Sequence, residues 1–165
     1  MSPLGERMRN NEMNRYHRAI FSGAGAFIAI SMLCFASDLQ SQWLFIMAPF
    51  GASAVLVFGV PGSPLAKPRN VIFGHLLTAF IGLLFVQFIG VSPMSLGCAT
   101  ALAVSGMLVT ETTHPPAGAN PLLIMMTGQT WSFLFTPVLV GAISIVVIGK
   151  VMQQINARIE HKPLS

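Results

Sequence analysis

His114 lies in Glu111-Thr112-Thr113-His114-Pro115-Pro116-Ala117-Gly118-Ala119-Asn120-Pro121, a polar, proline-rich stretch between apolar runs. Proline donates no hydrogen bond and disfavours helix in the residue before it, so the backbone around 114–116 is expected to leave the helix. A histidine at such a break can contact a ligand, relay a proton or cap exposed carbonyls. At membrane depth an ionisable group favours a place in a site. Glu111, one turn earlier, can carry a coupling proton, neutralise His114 or sit at an interface. Glu-x-x-His also occurs in carboxylate-bridged metal centres, but these need a second copy and further carboxylates, so no metal is expected. His75, one residue past Gly74 in another apolar run, reads first as a packing histidine and second as a proton-coupling group. No Ser-His-Asp set, glycine-rich nucleotide loop or cysteine cluster is visible, so neither catalytic residues nor a cofactor are expected. Cys34 and Cys98 read as small residues inside apolar runs.

A second break, Pro49-Phe50-Gly51-Ala52-Ser53, mirrors the first. Shifting the chain by the 67 positions that separate Pro49 from Pro116 lays Gly51, Ala52 and Leu56 on Gly118, Ala119 and Leu123. Ser53 falls on Asn120, and Val71, Gly74, Ile81 and Gly82 fall on Val138, Gly141, Ile148 and Gly149. An apolar sequence matches itself easily, but the block starts at a proline-glycine break in both copies. Each break precedes a short apolar helix whose amino end exposes unsatisfied N–H groups and about half a positive charge. Glycines let a ligand approach the backbone. Two such ends facing one cavity would hold a small anion.

The elements that must position these breaks are membrane helices. Of 165 residues 53% are hydrophobic and 8% charged, with mean hydropathy +0.70; soluble domains carry roughly 25% charged residues. The net charge of +4 is split among three clusters that flank apolar runs, namely Arg7, Arg9, Arg15 and Arg18, then Lys67 and Arg69, then Lys150, Arg158 and Lys162. Cations so placed mark the cytoplasmic side of a bilayer rather than a nucleic-acid surface. Residues 1–18 form a basic leader, 19–150 the transmembrane domain and 151–165 a tail. Long spans are expected at 19–37, 71–90, 96–110 and 134–149, with short or broken segments at 43–60 and 117–133. Cytoplasmic placement of both termini and of the 61–70 loop, with the 38–42 turn outside, requires three segments per repeat. An odd number inverts the second repeat, a plan of secondary transporters that bind at broken helices near the midplane.

The His114-Pro115-Pro116-Ala117-Gly118-Ala119-Asn120-Pro121 motif, with Glu111-Thr112-Thr113 before it, resembles the HPP family of integral membrane proteins, named for that tripeptide. Ala48-Pro49-Phe50-Gly51-Ala52-Ser53-Ala54-Val55-Leu56 and Pro64-Leu65-Ala66-Lys67-Pro68-Arg69-Asn70 also match the family pattern, in order and spacing. The resemblance covers most of 19–150. It implies a small protein described as having four transmembrane helices and a transport function, with nitrite transport attributed to plastid and cyanobacterial relatives.

The expectation is therefore an all-α polytopic membrane protein of two inverted three-segment repeats, four long spans plus two short or broken helices, in a bacterial inner membrane. It would carry a small inorganic anion, bound by Pro49, Gly51, Ala52, Ser53, His114, Pro115, Pro116, Gly118, Ala119 and Asn120, with Glu111 or His75 coupling a proton. A structural or regulatory membrane subunit is the alternative. Gly23, Gly25, Ala99 and Ala103 offer small faces for a homo-oligomer.

Overall fold

Proline placement sets where the helices begin. In the computed structural model, which describes residues 3–39 and 47–160 (side chains over 15–37 and 47–159), every described residue in a regular element is helical. Helix α1 spans Pro3–Leu39, and α2 spans Ala48–Ala54, with Pro49 in its first turn and a π-helical continuation over Val55–Gly59. A 3₁₀ turn at Pro64–Ala66, capped by the Ser63 side chain, leads to α3, Pro68–Phe88. Helix α4, Pro93–Val109, starts at a capping box in which Ser92 and Ser95 satisfy each other's backbone N–H. Such a box meets donors that lipid could not. After the second break come a 3₁₀ segment, Pro115–Ala119, and α5, Asn120–Thr127, which ends on Gly128 in the left-handed region. A π-helical stretch, Leu134–Leu139, kinks at extended Thr136 before Pro137 and runs into α6, Val140–Glu160.

Among the described residues three helices, against the four long spans expected, are long and apolar enough to cross a membrane: Arg15–Ser37, Pro68–Phe88 and Leu134–Ile159. Helix α4 has 17 residues, about 26 Å at 1.5 Å per residue, short of a hydrocarbon core about 30 Å thick. The stretches expected as leader and tail are helical where the structure describes them. The backbone is helical from Pro3 through the basic residues, and α6 continues past Lys150 to Glu160. Glu, Arg and Met in residues 3–18, and Met, Gln, Arg and Glu in 151–160, are good helix formers that carry a helix beyond its apolar run. The 38–42 turn and the start of the 43–60 segment lie largely outside the described residues.

Helix α3 lies against α4, α5 and α6, while α1 packs on α6 and on the α2–π segment, and α2 meets the 3₁₀ segment 115–119. Glycines set these approaches. A Cβ on Gly82 would stand 2.8 Å from Pro121 Cα and 3.4 Å from Ile124 Cβ, and one on Gly149 would overlap Val57. Gly25 packs on Phe58, and Ala99 and Ala103 are fully buried. Three of the four small residues expected at an oligomer face thus serve contacts inside the protomer, and only Gly23 is exposed. Cys98 lies on the exposed side of α4 rather than in the core. Large apolar side chains including Ile20, Phe27, Phe73, Phe88, Leu108 and Val147 are exposed on the outside, a surface suited to lipid.

One groove is lined by Arg18 of α1, Gly62 and Ser63 of the loop, and Gln153 and Asn156 of α6. Arg69 at the start of α3 donates to the Thr110 carbonyl at the end of α4, at 2.9 Å. The basic part of α1, the 61–69 stretch, the end of α4 and the last part of α6 therefore share one end of the molecule.

Candidate functional site

The second break is laid along the first turns of α3. Asn70 Nδ2 donates to the Thr113 carbonyl at 2.9 Å, and Gly74 has room for no side chain, since a Cβ there would lie 2.9 Å from Thr112 O and 3.0 Å from His114 Cβ. Helix α4 closes in a Schellman turn, with Thr112 N bonded to Met107 O at 2.9 Å and Glu111 N to Leu108 O at 3.2 Å. This turn puts Glu111 at φ 54°, a conformation that favours glycine. His114 follows in extended backbone, φ −138° and ψ 97°, as a residue before proline must be.

Here the two breaks meet. Ser53, one turn into α2, has its Oγ 2.8 Å from His75 Nε2 and 2.9 Å from His114 Nε2. His114 Nδ1 is 2.9 Å from the Leu65 carbonyl. Asn120 Nδ2, at the start of α5, is 3.0 Å from His75 Nδ1, 3.1 Å from His75 O and 2.9 Å from Thr78 Oγ1. The Thr78 hydroxyl donates back to Gly74 O at 2.9 Å. Ser53, His75, Thr78, His114 and Asn120 are all fully buried. Phe50 packs edge-on against His75 with ring centroids 5.3 Å apart, and the two imidazoles stand 5.1 Å apart.

Donor and acceptor roles follow from elementary chemistry. A carbonyl only accepts, so His114 carries its hydrogen on Nδ1 and, when neutral, presents Nε2 as an acceptor. The Ser53 hydroxyl must then donate to His114 rather than to Pro49 O at 3.2 Å. Its lone pair receives the Nε2–H of His75, whose Nδ1 in turn accepts from Asn120. Every bond in the series Asn120, His75, Ser53, His114, Leu65 points the same way. Asn120 Oδ1 is left buried without a hydrogen-bond partner. Exchanging the amide's O and N would set an oxygen against the His75 carbonyl, so the orientation stands. An unmet buried acceptor costs about 1–3 kcal/mol and calls for an explanation.

The family model for the HPP transmembrane region matches residues 11–162. The chain belongs to the HPP family. Two similar proteins from Dictyostelium discoideum, each described only as a transmembrane protein, are 32% identical over 133 residues and 36% identical over 154. These matches cover 76% and 88% of this chain but 43% and 53% of the relatives, so the chain spans about half their length. No solved structure matches. The family and the apolar helices make this an integral membrane protein; relatives from Dictyostelium do not speak for a bacterial membrane.

The family's tripeptide now has a physical content. His114 supplies the imidazole, Pro115 holds it in extended backbone, and Pro116 is buried against the protein. Of the other residues expected at the site, Ser53 bonds His114 directly, Asn120 reaches it only through His75 and Ser53, and the Pro49 carbonyl lies 3.2 Å from Ser53 Oγ. Gly51, Ala52, Pro115 and Ala119 are exposed on the outer side of the breaks, and Gly118 is half-exposed. Glu111 is exposed at the end of α4 and is no member of the cluster. The side chains expected to offer free donors to an anion are instead bonded to one another. His75 is not only a packing histidine: it joins Ser53 to Asn120. Thr78 and the Leu65 carbonyl are further members that sequence reasoning missed. Thr78, three residues after His75, lay in reach of a periodicity argument; the Leu65 carbonyl, a backbone group in a loop, did not.

Proposed function

We propose that this HPP-family protein is a transporter or channel for a small inorganic anion, which passes where the two broken helices cross. The observation that carries the reading is the buried polar cluster at that crossing. Five uncharged or titratable polar side chains within an apolar helical protein are costly to bury and mark a pathway rather than a packing core. The open sides of Gly51 and Gly118, where a built Cβ meets no atom within 4 Å, give a ligand access to the backbone beside the cluster. Thr78, the eleventh of the 21 residues of α3, sets the cluster's inner end near mid-span. We read no enzymatic chemistry here. Ser53 donates to His114 as a nucleophile would to its base, but it is fully buried and its lone pair is taken by His75.

An inverted repeat fits the packing. Gly82 rests on Ile124 and Gly149 on Val57; the shift of 67 that carries Gly82 to Gly149 also carries Val57 to Ile124. Each half thus uses its third helix to hold the other half's broken one, as a pseudo-twofold axis requires. The test of function is flux into proteoliposomes. Nitrite, the anion implied by the family resemblance, should enter faster than in protein-free vesicles, with nitrate, sulfate and chloride as comparisons. No flux of any of them would leave the structural-subunit reading.

Two further expectations belong to this reading. The basic end should be cytoplasmic, so a cysteine introduced at Gly62 should react with impermeant reagents only from that side. Labelling from the opposite side would reverse the topology. The outer side of the breaks, with Gly51, Ala52, Pro115 and Ala119 exposed, leaves the pathway open laterally to lipid. A second copy of the chain closes it in this reading. Native mass measurement from nanodiscs should find an oligomer; an active monomer would remove the need for closure.

A further inference from the structure

We propose that His75 and His114 share a single excess proton, handed between them through the Ser53 hydroxyl, so that the protein is proton-coupled. This deepens the transport reading and rests on it for its biological use, although the relay can be measured without any transported ion.

The geometry supplies each requirement. Two imidazole nitrogens, His75 Nε2 and His114 Nε2, face one hydroxyl oxygen at 2.8 and 2.9 Å. A hydroxyl can accept a proton from one side while releasing its own to the other, and so stays neutral throughout. When a proton arrives at His75 Nδ1, that ring becomes an imidazolium. Its Nε2–H bond then breaks as the proton moves to Ser53 Oγ, while the original Ser53 proton forms the new N–H bond at His114 Nε2. His75 is left neutral with its hydrogen on Nδ1, and the positive charge sits on His114, whose Nδ1–H remains on the Leu65 carbonyl. No electron transfer is involved, and proton count and charge balance. With ring centroids 5.1 Å apart, two charges would repel strongly in this buried setting. The pair therefore holds one proton or none.

The unpartnered Asn120 Oδ1 falls into place as the group that serves the charged state. In the neutral chain Asn120 donates to His75 Nδ1. Once that nitrogen carries a hydrogen, its N–H and a Thr78 hydroxyl turned to the same oxygen offset the His75 carbonyl contact that excludes the reversed amide in the neutral chain, and a half-turn brings Oδ1 onto the new N–H. Asn120 thus takes one orientation before protonation and the other after it.

No other titratable group competes at this place among the described residues. Helices α2 and α5 contain none, α4 offers only exposed Cys98, and Phe50 covers the free face of His75. Lys67 and Arg69 flank the Leu65 turn, Arg69 bound to Thr110 O, and Glu111 is exposed. On α6, Lys150 is exposed and Arg158 lies in the last turn, and on α1 Arg15, Tyr16, His17 and Arg18 are exposed and Cys34 is half-buried. The charge can move between an inner position near mid-span, at His75, and an outer one by Leu65 at the basic end. A transported anion would meet a counter-charge only when a proton accompanies it.

The test uses the full chain in liposomes, with ¹⁵N-labelled histidine and with His17→Gln and His161→Gln so that only the pair remains. At neutral pH, solid-state ¹⁵N spectra should show opposite tautomers, hydrogen on Nδ1 for His114 and on Nε2 for His75. On acidification both rings should gain partial imidazolium character with one common midpoint. Ser53→Ala should split this into two separate titrations, and nitrite flux should lose its dependence on a pH gradient. His114→Gln, which keeps a donor for Leu65, should lose that dependence too, so the test stands even if Ser53→Ala does not fold. Identical tautomers, or two independent midpoints in the chain with Ser53 intact, would overturn the relay. Anion flux indifferent to a pH gradient would also overturn it while leaving transport standing. Opposite tautomers and a shared proton without any anion flux would uphold the relay and remove the transport reading.

Discussion

Gly118→Leu is expected to reduce anion flux to the level of protein-free vesicles while leaving the melting temperature nearly unchanged. The two outcomes come from separate features of one position. A Cβ on Gly118 would meet no atom within 4 Å, and its φ is not in the positive region, so the backbone accepts any side chain there. Replacing a glycine where the conformation suits other residues shifts stability by only about 0.4–1 kcal/mol, in the stabilising direction. Function should respond differently, because in the proposed reading the same open space is the anion's approach to the backbone between His114 and Asn120. A leucine fills it with apolar bulk and leaves every hydrogen bond of the buried cluster in place. Gly51→Leu should act in the same manner from the other break, where a Cβ is equally unopposed. Flux with ordinary anion affinity in both variants would place the pathway elsewhere and leave the glycines as helix-packing residues. A large fall in melting temperature would instead show that these positions touch something in the assembled protein.

How much of this was legible in the sequence depends on whether a feature is local. The departure from helix at His114 was legible because proline forces its own backbone and its neighbour's, whereas 49–53, expected as a break, is itself the helical start of α2, with Pro49 in the first turn. Pairing Ser53 with Asn120 followed from the proposed repeat, which aligns two polar residues at equivalent steps past a proline. Their hydrogen bonds did not. Sequence spacing shows which side chains a site holds, but not that Ser53 reaches across 61 positions to His114. The role of His75 was obscured by its surroundings: an apolar run makes a packing histidine the simpler reading, and only the carbonyl on His114 and the amide of Asn120 reveal it as the middle of a series. The Leu65 carbonyl is a backbone atom in a loop, which no residue type announces. Helix ends lie beyond the apolar runs where propensity outlasts hydrophobicity, as in α6 past Lys150, and α4, expected as a long span, is apolar but only 17 residues long.

Gly141→Ala should destabilise the protein by about 1–3 kcal/mol or more, the usual range for a carbon forced into a filled core. Helix propensity alone argues the reverse. Gly141 lies inside α6, where alanine is favoured over glycine by about 1 kcal/mol, so the two effects differ in sign and the measurement decides between them. The packing term should win because the added Cβ would overlap the Phe50 ring, and Phe50 is fully buried with nowhere to retreat. His75 packs edge-on against the same ring, 5.3 Å away between centroids, so a displaced Phe50 disturbs the surroundings of the Ser53–His75 bond. For a chain of this length the melting temperature should fall by about 2–4 °C per kcal/mol, and the pH dependence of flux should weaken along with it. Gly97→Ala provides the control: it is also in a helix, exposed, with no atom within 4 Å of a built Cβ, and it should stabilise slightly. Phe50→Leu placed in the Gly141→Ala background should recover part of the loss, since a smaller side chain relieves the overlap. The coupling between the two changes is what a double-mutant cycle reads. If Gly141→Ala melts at or above the parent temperature, α2 and α6 are not in contact there.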